Sequence, residues 1–112
     1  MDCLFCKIVN GEIPSDKVYE DDEILAFRDK FPVAPTHILI IPKKHIESLR
    51  EIAGHEELIG KIMKKAADIA KEEKIDEEGY RIVNNIGKNG GQTVFHLHVH
   101  LLGGRAFAWP PG

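Results

Sequence analysis

Apolar residues recur along this chain with two different periods, and the period indicates which segments form strands and which form helices. Alternating or continuous apolar runs bounded by turn residues predict strands at 17–20, 24–28, 37–41, 80–84 and 94–102. Leu4, Phe5 and Ile8 share one face of a short helical turn over residues 3–9. From Glu56 to Glu73, apolar residues at helical spacing lie opposite lysines and acids, which predicts one long amphipathic helix.

The order of these elements, mostly strand with one long helix inserted, favours an α+β fold with an antiparallel sheet. The segment 37–41 is apolar at successive positions and is stopped by Pro42, so we expect a central strand that is buried on both faces. No repeat, linker or low-complexity tract interrupts the pattern. We therefore expect residues 1–112 to form a single domain.

Composition and charge narrow the classes of function. The chain has 112 residues, of which 43% are hydrophobic, and this is enough for a core that needs no scaffold metal to fold. Fifteen Lys and Arg against 18 Asp and Glu give a net charge of -3, which argues against a nucleic-acid-binding surface. No run approaches the roughly 18 apolar residues of a membrane span, and no signal segment opens the sequence, so we expect a cytoplasmic protein.

Three histidines alternate with apolar residues at positions 96, 98 and 100. In a strand this alternation places the three imidazoles on one face, with neighbours roughly 6.6 Å apart. Two neighbours could share a metal ion, but three are poorly placed to converge on one, which indicates a division of labour. A lone strand histidine is usually solvated or packed in a core, whereas three in register after the glycine-rich loop 87–91 indicate a functional site.

Cys3 and Cys6 form a single CxxC pair near the start of the chain. Without a second pair, this spacing is a weak signal for zinc. A redox pair and two buried thiols without a function are the alternatives. A disulfide scaffold is excluded, since two cysteines allow only one bridge.

The segment His-Leu-His-Val-His-Leu-Leu at 96–102 matches the motif of the histidine triad superfamily without exception. Four further segments resemble its HINT branch, the histidine triad nucleotide-binding proteins: 35–37, 41–46, 90–93 and the ending 103–112. The resemblance spans nearly the whole chain. It implies a homodimer whose subunits each have a five-stranded antiparallel sheet, one long helix and a short N-terminal helix, with the sheet continued across the dimer.

The resemblance also implies an activity, the hydrolysis of adenosine 5'-phosphoramidates and related purine nucleoside phosphoramidates. His98 would attack the α-phosphorus and form a nucleotidyl-histidine intermediate, which water resolves to AMP or GMP after the amine has left. A neutral imidazole is abundant at pH 7 and nucleophilic, so this cycle requires no metal.

Further roles follow from the same resemblance. It implies that the phosphate is contacted by His100, Asn85, Gly91 and Thr93. It also implies that His37, from an earlier strand, supports the position of His98. It implies that Asp29 accepts hydrogen bonds from the ribose hydroxyls, and that an apolar slot holds the purine, formed by Leu4, Phe5, Ile8, Ile13 and Phe27. Two positions depart from the family pattern, since Thr93 replaces the usual serine and Lys30 replaces an aliphatic residue.

Some histidine triad proteins carry a structural zinc ion, and the resemblance assigns its ligands here to Cys3, Cys6, His45 and His96. Two thiolates and two neutral imidazoles form a normal closed zinc site. A zinc module alone is the weakest interpretation of the chain, because it leaves His98, His100 and the glycine loop without a role.

Two other functions remain open beside the phosphoramidase. One is a dinucleoside polyphosphate hydrolase of the same superfamily, against which the Trp-Pro-Pro-Gly ending weighs. The other is a nucleotide-binding scaffold whose catalytic capacity is incidental. The apolar ending 107–111 has little conformational freedom, and we expect it to be buried at a twofold interface. The resemblance implies that this ending reaches toward the partner's active site.

Overall fold

The computed structural model, which describes residues 2–112, contains two α-helices and five strands. Helix α1 spans Leu4–Val9 and helix α2 spans Glu56–Glu72, with a 3-10 turn at Leu49–Glu51. The strands are β1 Lys17–Glu20, β2 Ile24–Arg28, β3 Thr36–Pro42, β4 Tyr80–Val83 and β5 Val99–Gly103. The predicted α+β class is confirmed, and so are the short N-terminal helix and the single long helix.

All five strands belong to one antiparallel sheet in the order β1-β2-β3-β5-β4. Strand β3 is central and every one of its residues is buried, as its apolar sequence predicts. Successive residues of a strand face opposite sides of the sheet. In β2, Ile24 and Ala26 therefore join the core under α2, whereas Leu25 and Phe27 join a second core under α1.

Helix α2 covers one face of the sheet with four residues at helical spacing, Ile62, Ala66, Ile69 and Ala70. Its C-terminal end is fastened to the sheet by Arg28, whose guanidinium donates two hydrogen bonds of 3.0 Å to the Glu73 carboxylate. The N-terminal side of α2 begins at His55, which lies at the cap position without a side-chain capping bond. Within residues 2–112, no helix has the length and apolar character that crossing a bilayer requires.

The last predicted strand, 94–102, is wrong at its N-terminal side, because β5 begins only at Val99. Strand β3 continues to Pro42, but its pairing with β5 ends at Ile40 and Val99, and the pairing with β4 ends at Val83 and His100. Single hydrogen bonds hold this segment instead. One of them runs from the Leu97 N–H to the Ile46 carbonyl at 2.6 Å. His96 and His98 therefore precede the ladder, and only His100 lies in it.

Candidate active site and metal cluster

His98 is buried just before β5, and its ring is held in one tautomer. Its Nδ1 lies 2.7 Å from the His96 carbonyl oxygen, which can only accept, so Nδ1 carries the proton and donates. Burial lowers the pKa of His98, so the imidazole is neutral at pH 7. A neutral imidazole protonated at Nδ1 has its lone pair at Nε2. The ring is therefore prepared to act as a nucleophile through that nitrogen.

His100 and His37 form a second hydrogen-bonded unit beside the first. The Val33 N–H donates to His37 Nδ1 at 3.2 Å, so a neutral His37 carries its proton on Nε2. That nitrogen lies 2.9 Å from His100 Nδ1 and 3.4 Å from Asp29 Oδ2. With Nδ1 accepting, the neutral His100 ring carries its proton on Nε2, where it can donate to an anionic ligand. We call Asp29, His37, His98 and His100 the imidazole cluster.

Protonation of these rings is opposed by burial. Burial lowers the pKa of His37, and the nearby Asp29 carboxylate offsets only part of this shift. Burial, followed by the neighbouring His98 and His37 rings, lowers the pKa of His100 to about 4. The cluster therefore presents neutral donors and lone pairs at pH 7.

A cavity of about 760 Å³ opens next to this cluster, between α1 and the end of β2. Its lining is largely apolar and includes every residue of the predicted purine slot: Leu4, Phe5, Ile8, Ile13 and Phe27. Asp29 and Lys30 are part of the wall as well. Phe5 links the cavity to His98, because its ring packs edge-to-face on the imidazole with 5.1 Å between centroids. A planar apolar group in this cavity lies within reach of the imidazole cluster.

The glycine-rich loop between β4 and β5 brings the remaining predicted residues to one place. Gly91 has a positive φ of 80°, and a side chain at Gly90 would collide with the Ile86 carbonyl oxygen, so the loop requires glycine at both positions. The Asn85 amide donates 2.7 Å to the Gly90 carbonyl and closes the loop. Thr93 is exposed where the loop ends.

Two further amide side chains make hydrogen bonds that were not predicted: Gln92 holds this loop, and Asn84 contacts the segment before β5. The buried Gln92 side chain accepts from the Gly87 N–H at 2.9 Å and donates to the Glu47 carbonyl at 2.9 Å. The Asn84 amide donates 2.7 Å to the His98 carbonyl. A buried amide directly after a glycine-rich loop is a signal that points to Gln92, whereas nothing in the sequence identifies the partner of Asn84.

A second cluster lies on the other side of Phe5 and contains Cys3, Cys6, His45 and His96, which we call the thiol cluster. Four donor atoms, the two Sγ and the two Nδ1, all lie within 4.8 Å of one another. His96 Nε2 donates 2.7 Å to the Pro42 carbonyl, which leaves its Nδ1 lone pair directed at the thiols. Cys3 is the N-cap residue of α1, and its Sγ accepts a hydrogen bond from the Cys6 N–H.

The donors of the thiol cluster fit a tetrahedral metal ion. The two Nδ1 atoms are 3.2 Å apart, and three of the N–S separations run from 3.3 to 3.5 Å. Zinc bonds of normal length place tetrahedral donors roughly 3.3–3.8 Å apart. Burial and the adjacent Cys3 raise the pKa of the Cys6 thiol to about 11, and a divalent cation is what would favour two neighbouring thiolates. The four residues could therefore hold a metal ion.

Residues 10–107 match the HIT domain. The chain belongs to the histidine triad (HIT) family. Among curated HIT relatives, it is 52% identical over 103 residues to the purine nucleoside phosphoramidase of Escherichia coli K12, an alignment that covers 91% of this chain and 87% of the relative. It is also 52% identical over 113 residues to the 14 kDa zinc-binding protein of Zea mays, covering 97% and 87%.

Solved HIT structures agree with the fold. The crystal structure of a HIT family hydrolase from Legionella pneumophila Philadelphia 1 superposes with a TM-score of 0.97 at 54% identity, covering 99% of this chain and 100% of that one. A histidine triad nucleotide-binding protein from Candida albicans gives a TM-score of 0.85 at 36% identity, covering 97% and 83%. The five-stranded antiparallel sheet with one long helix is thus the HIT fold.

Proposed function

We propose that this protein is a purine nucleoside phosphoramidase that cleaves the P–N bond of a nucleoside 5'-phosphoramidate. The observation that carries the proposal is the fixed, neutral imidazole of His98, which packs on Phe5 in the wall of an apolar cavity of about 760 Å³. The HIT fold and the relative named purine nucleoside phosphoramidase support a nucleotide hydrolase, and the cavity suits a purine ring.

The reaction proceeds in two displacements at the α-phosphorus. His98 Nε2 forms a bond to phosphorus while the P–N bond to the amine breaks, and the amine departs after taking a proton from solvent, which the water of the second step replaces. The product of this step is nucleotidyl-His98. Water then attacks the same phosphorus, loses a proton, and displaces His98, which releases AMP or GMP and restores the neutral ring.

The other members of the imidazole cluster orient and stabilise the phosphoryl group. His100 donates its Nε2–H to the nonbridging oxygens, where negative charge increases during attack. His37 acts through His100, which it holds at 2.9 Å. Asn85, Gly91 and Thr93 are proposed as phosphate contacts from the loop, since backbone and hydroxyl donors suit the same oxygens.

Nucleoside recognition is assigned to the cavity wall. Phe5, Ile8, Ile13 and Phe27 would contact the faces and edges of the purine. Asp29, whose Oδ1 already accepts from the Phe31 N–H at 2.8 Å, would accept from the ribose hydroxyls.

Zinc is proposed as the resident ion of the thiol cluster, held by Cys3, Cys6, His45 and His96. It would supply structural cross-linking between α1 and the segment before β5, and no step of the reaction uses it. The relative named zinc-binding protein and the tetrahedral spacing of the donors support this assignment. Metal-ligating thiols suit a reducing compartment such as the cytoplasm.

A homodimer is proposed through the edge of the sheet. Strand β4 is an edge strand of the described residues, so its outer backbone groups are available to continue the sheet into a second copy.

The substrate class is tested by assaying the purified protein side by side with adenosine 5'-phosphoramidate, an aminoacyl adenylate and a diadenosine polyphosphate. We expect the phosphoramidate to have a high kcat/KM and the diadenosine compound to be the poorest substrate. Quenching during turnover and digesting the protein should place one nucleoside monophosphate on His98 in the mass spectrum. Preference for the diadenosine compound supports the polyphosphate hydrolase instead, and binding of AMP without any turnover supports a scaffold.

A further inference from the structure

Asn84 follows the last residue of β4, and its side chain contacts the main chain of His98. The amide Nδ2 donates a hydrogen bond of 2.7 Å to the His98 carbonyl oxygen. The ladder between β4 and β5 ends at Val83 and His100, so this carbonyl lies beyond the last strand pair. A side chain thus provides the hydrogen bond that the sheet does not extend far enough to make.

The other polar atom of the same amide is buried, and Asn84 Oδ1 has no hydrogen-bond partner within residues 2–112. The side chain lies in the wall of a cavity of about 270 Å³ whose other lining residues are apolar, among them Ile40, Ile82 and Val99. An unpaired buried carbonyl oxygen destabilises a fold, whereas an aliphatic side chain fits these surroundings. The bond that the amide donates stabilises the fold and the unpaired Oδ1 destabilises it, so stability gives an amide at this position little net advantage over an aliphatic residue.

Single hydrogen bonds, and not a ladder, hold the backbone of the segment that carries His98. Residues 94–98 are outside the ladder, and the bond from Leu97 to Ile46 is one of the single contacts that hold them. The imidazole itself is fixed by the His96 carbonyl and by the edge-to-face contact with Phe5. These two contacts set the rotation of the ring, but the position of its Cα depends on the backbone, which the Asn84 amide holds.

We infer that Asn84 is a positioning residue for the reaction: its amide fixes the His98 main chain so that Nε2 stays in line with the α-phosphorus. The inference rests on the proposed function, because it requires His98 to be the nucleophile. In-line attack is sensitive to small displacements, and a misplacement of about 1 Å can reduce a rate by about 10²-fold. The unpaired Oδ1 lowers stability, and the amide is retained because its Nδ2 donor serves the reaction.

Asn84→Leu separates this role from a structural one, because it removes both the donor and the unpaired oxygen. We expect kcat for adenosine 5'-phosphoramidate to fall by about tenfold, with KM within about twofold of the wild-type value. The melting temperature should change little, since the variant removes the unpaired Asn84 Oδ1 but leaves the His98 carbonyl without its donor. A lower melting temperature with a normal kcat overturns the inference.

Asn84→Gln is the matched variant that keeps an amide donor, and the cavity has room for one more methylene. We expect its kcat to exceed that of Asn84→Leu at least threefold. In rapid-quench single turnovers, the rate of His98 nucleotidylation should fall in Asn84→Leu by the same factor as kcat. Equal kcat values for the two variants contradict the inference, and so does a loss that occurs only together with a changed sedimentation coefficient.

The wild-type protein distinguishes failure of this inference from failure of the proposed function. If it neither hydrolyses the phosphoramidate nor carries the label on His98, the proposed function fails and the inference fails with it. If it does both and Asn84→Leu retains a normal kcat, only the positioning role of Asn84 is overturned.

Discussion

The thiol cluster and the imidazole cluster each contain a histidine of the same short segment, His96 in the first and His98 in the second. The two rings make different hydrogen bonds. His96 donates from Nε2 to the Pro42 carbonyl and directs Nδ1 at two sulfur atoms. His98 donates from Nδ1 to the His96 carbonyl and keeps its lone pair on Nε2. The two rings therefore have opposite tautomers, and in each case a main-chain carbonyl selects the tautomer.

The backbone, and not the motif alone, thus determines the tautomer of each of these histidines. Burial lowers the pKa of both rings, so both are neutral and each has one lone pair. What distinguishes them is the direction of that lone pair: toward soft sulfur ligands in one case and away from them in the other. Phe5 lies between the clusters, with ring centroids 5.9 Å from His96 and 5.1 Å from His98.

The largest expected effect comes from replacing each of these two histidines by alanine. His98→Ala should lower kcat by about 10⁴-fold or more, because the nucleophile is lost, while AMP still binds through the cavity and Asp29. His96→Ala should lower the melting temperature and reduce kcat far less. Steady-state kinetics, calorimetric AMP binding and thermal melts measure the pair. Near-normal turnover in His98→Ala, or a nucleotide label on His96 or His100, reverses the assigned roles.

The thiol cluster should matter mainly for stability. Cys6→Ser removes one metal ligand, and we expect the melting temperature to fall by about 10 °C, while kcat per folded protein stays within about threefold. Elemental analysis of protein prepared without added metal should give close to one zinc per wild-type chain and much less in the variant. Ser48→Ala, at a buried side chain outside both clusters, is the comparison for general destabilisation. A metal-free, fully folded wild-type chain with two titratable thiols removes the site.

Burial of the imidazole cluster should make the free energy of unfolding depend on pH. His100 has a folded-state pKa of about 4, against an ordinary 6.5, because burial opposes its charged form. Between these values the unfolded chain binds a proton that the folded chain does not, so stability falls as the pH drops from 6.5 toward 4. Thermal melts from pH 7.5 to 4.5 should show this loss, with a smaller slope in His100→Asn. An NMR titration of His100 with a midpoint near 6.5 contradicts the expectation.

Much of the fold around both clusters is predictable from sequence, since strand and helix patterns are local signals, whereas the membership of the clusters followed from the resemblance to the family. The alternation at 24–28 and the continuous apolar run in β3 define strands whose faces the structure confirms, because side-chain direction in a strand follows from the period alone. The spacing of Leu4, Phe5 and Ile8 places one side of the cavity on α1. These features depend on neighbours in the chain.

The features that could not be predicted depend on partners that are distant in sequence. The pairing of β5 with β3 ends at Val99 and its pairing with β4 ends at His100, and the apolar alternation of residues 94–98 does not reveal this limit. The Asn84 amide finds its carbonyl 14 residues away, and Gln92 finds that of Glu47 45 residues away. A polar residue announces a hydrogen bond but not its partner, so positioning residues are harder to predict than motif residues.

The C-terminal segment lies outside both clusters, and it is divided between an anchored part and an exposed part. The Phe107 ring lies between two guanidinium groups, 5.2 Å from that of Arg81 and 4.3 Å from that of Arg105. Arg81 also donates 3.0 Å to the Ala108 carbonyl. Beyond this anchor the Trp109 side chain is 81% exposed.

The smallest expected effect is therefore a change in selectivity when residues 109–112 are deleted. Because the anchor at Phe107 and Ala108 remains, the melting temperature should change by less than about 3 °C. If the exposed Trp109 reaches a partner's active site in the proposed homodimer, it contacts the leaving group more than the nucleotide. The ratio of kcat/KM for two phosphoramidates that differ only in the amine should then shift by about threefold, and Trp109→Ala should reproduce most of the shift. An equal proportional loss for both substrates contradicts the selectivity role, and a monomeric full-length protein in sedimentation removes its premise.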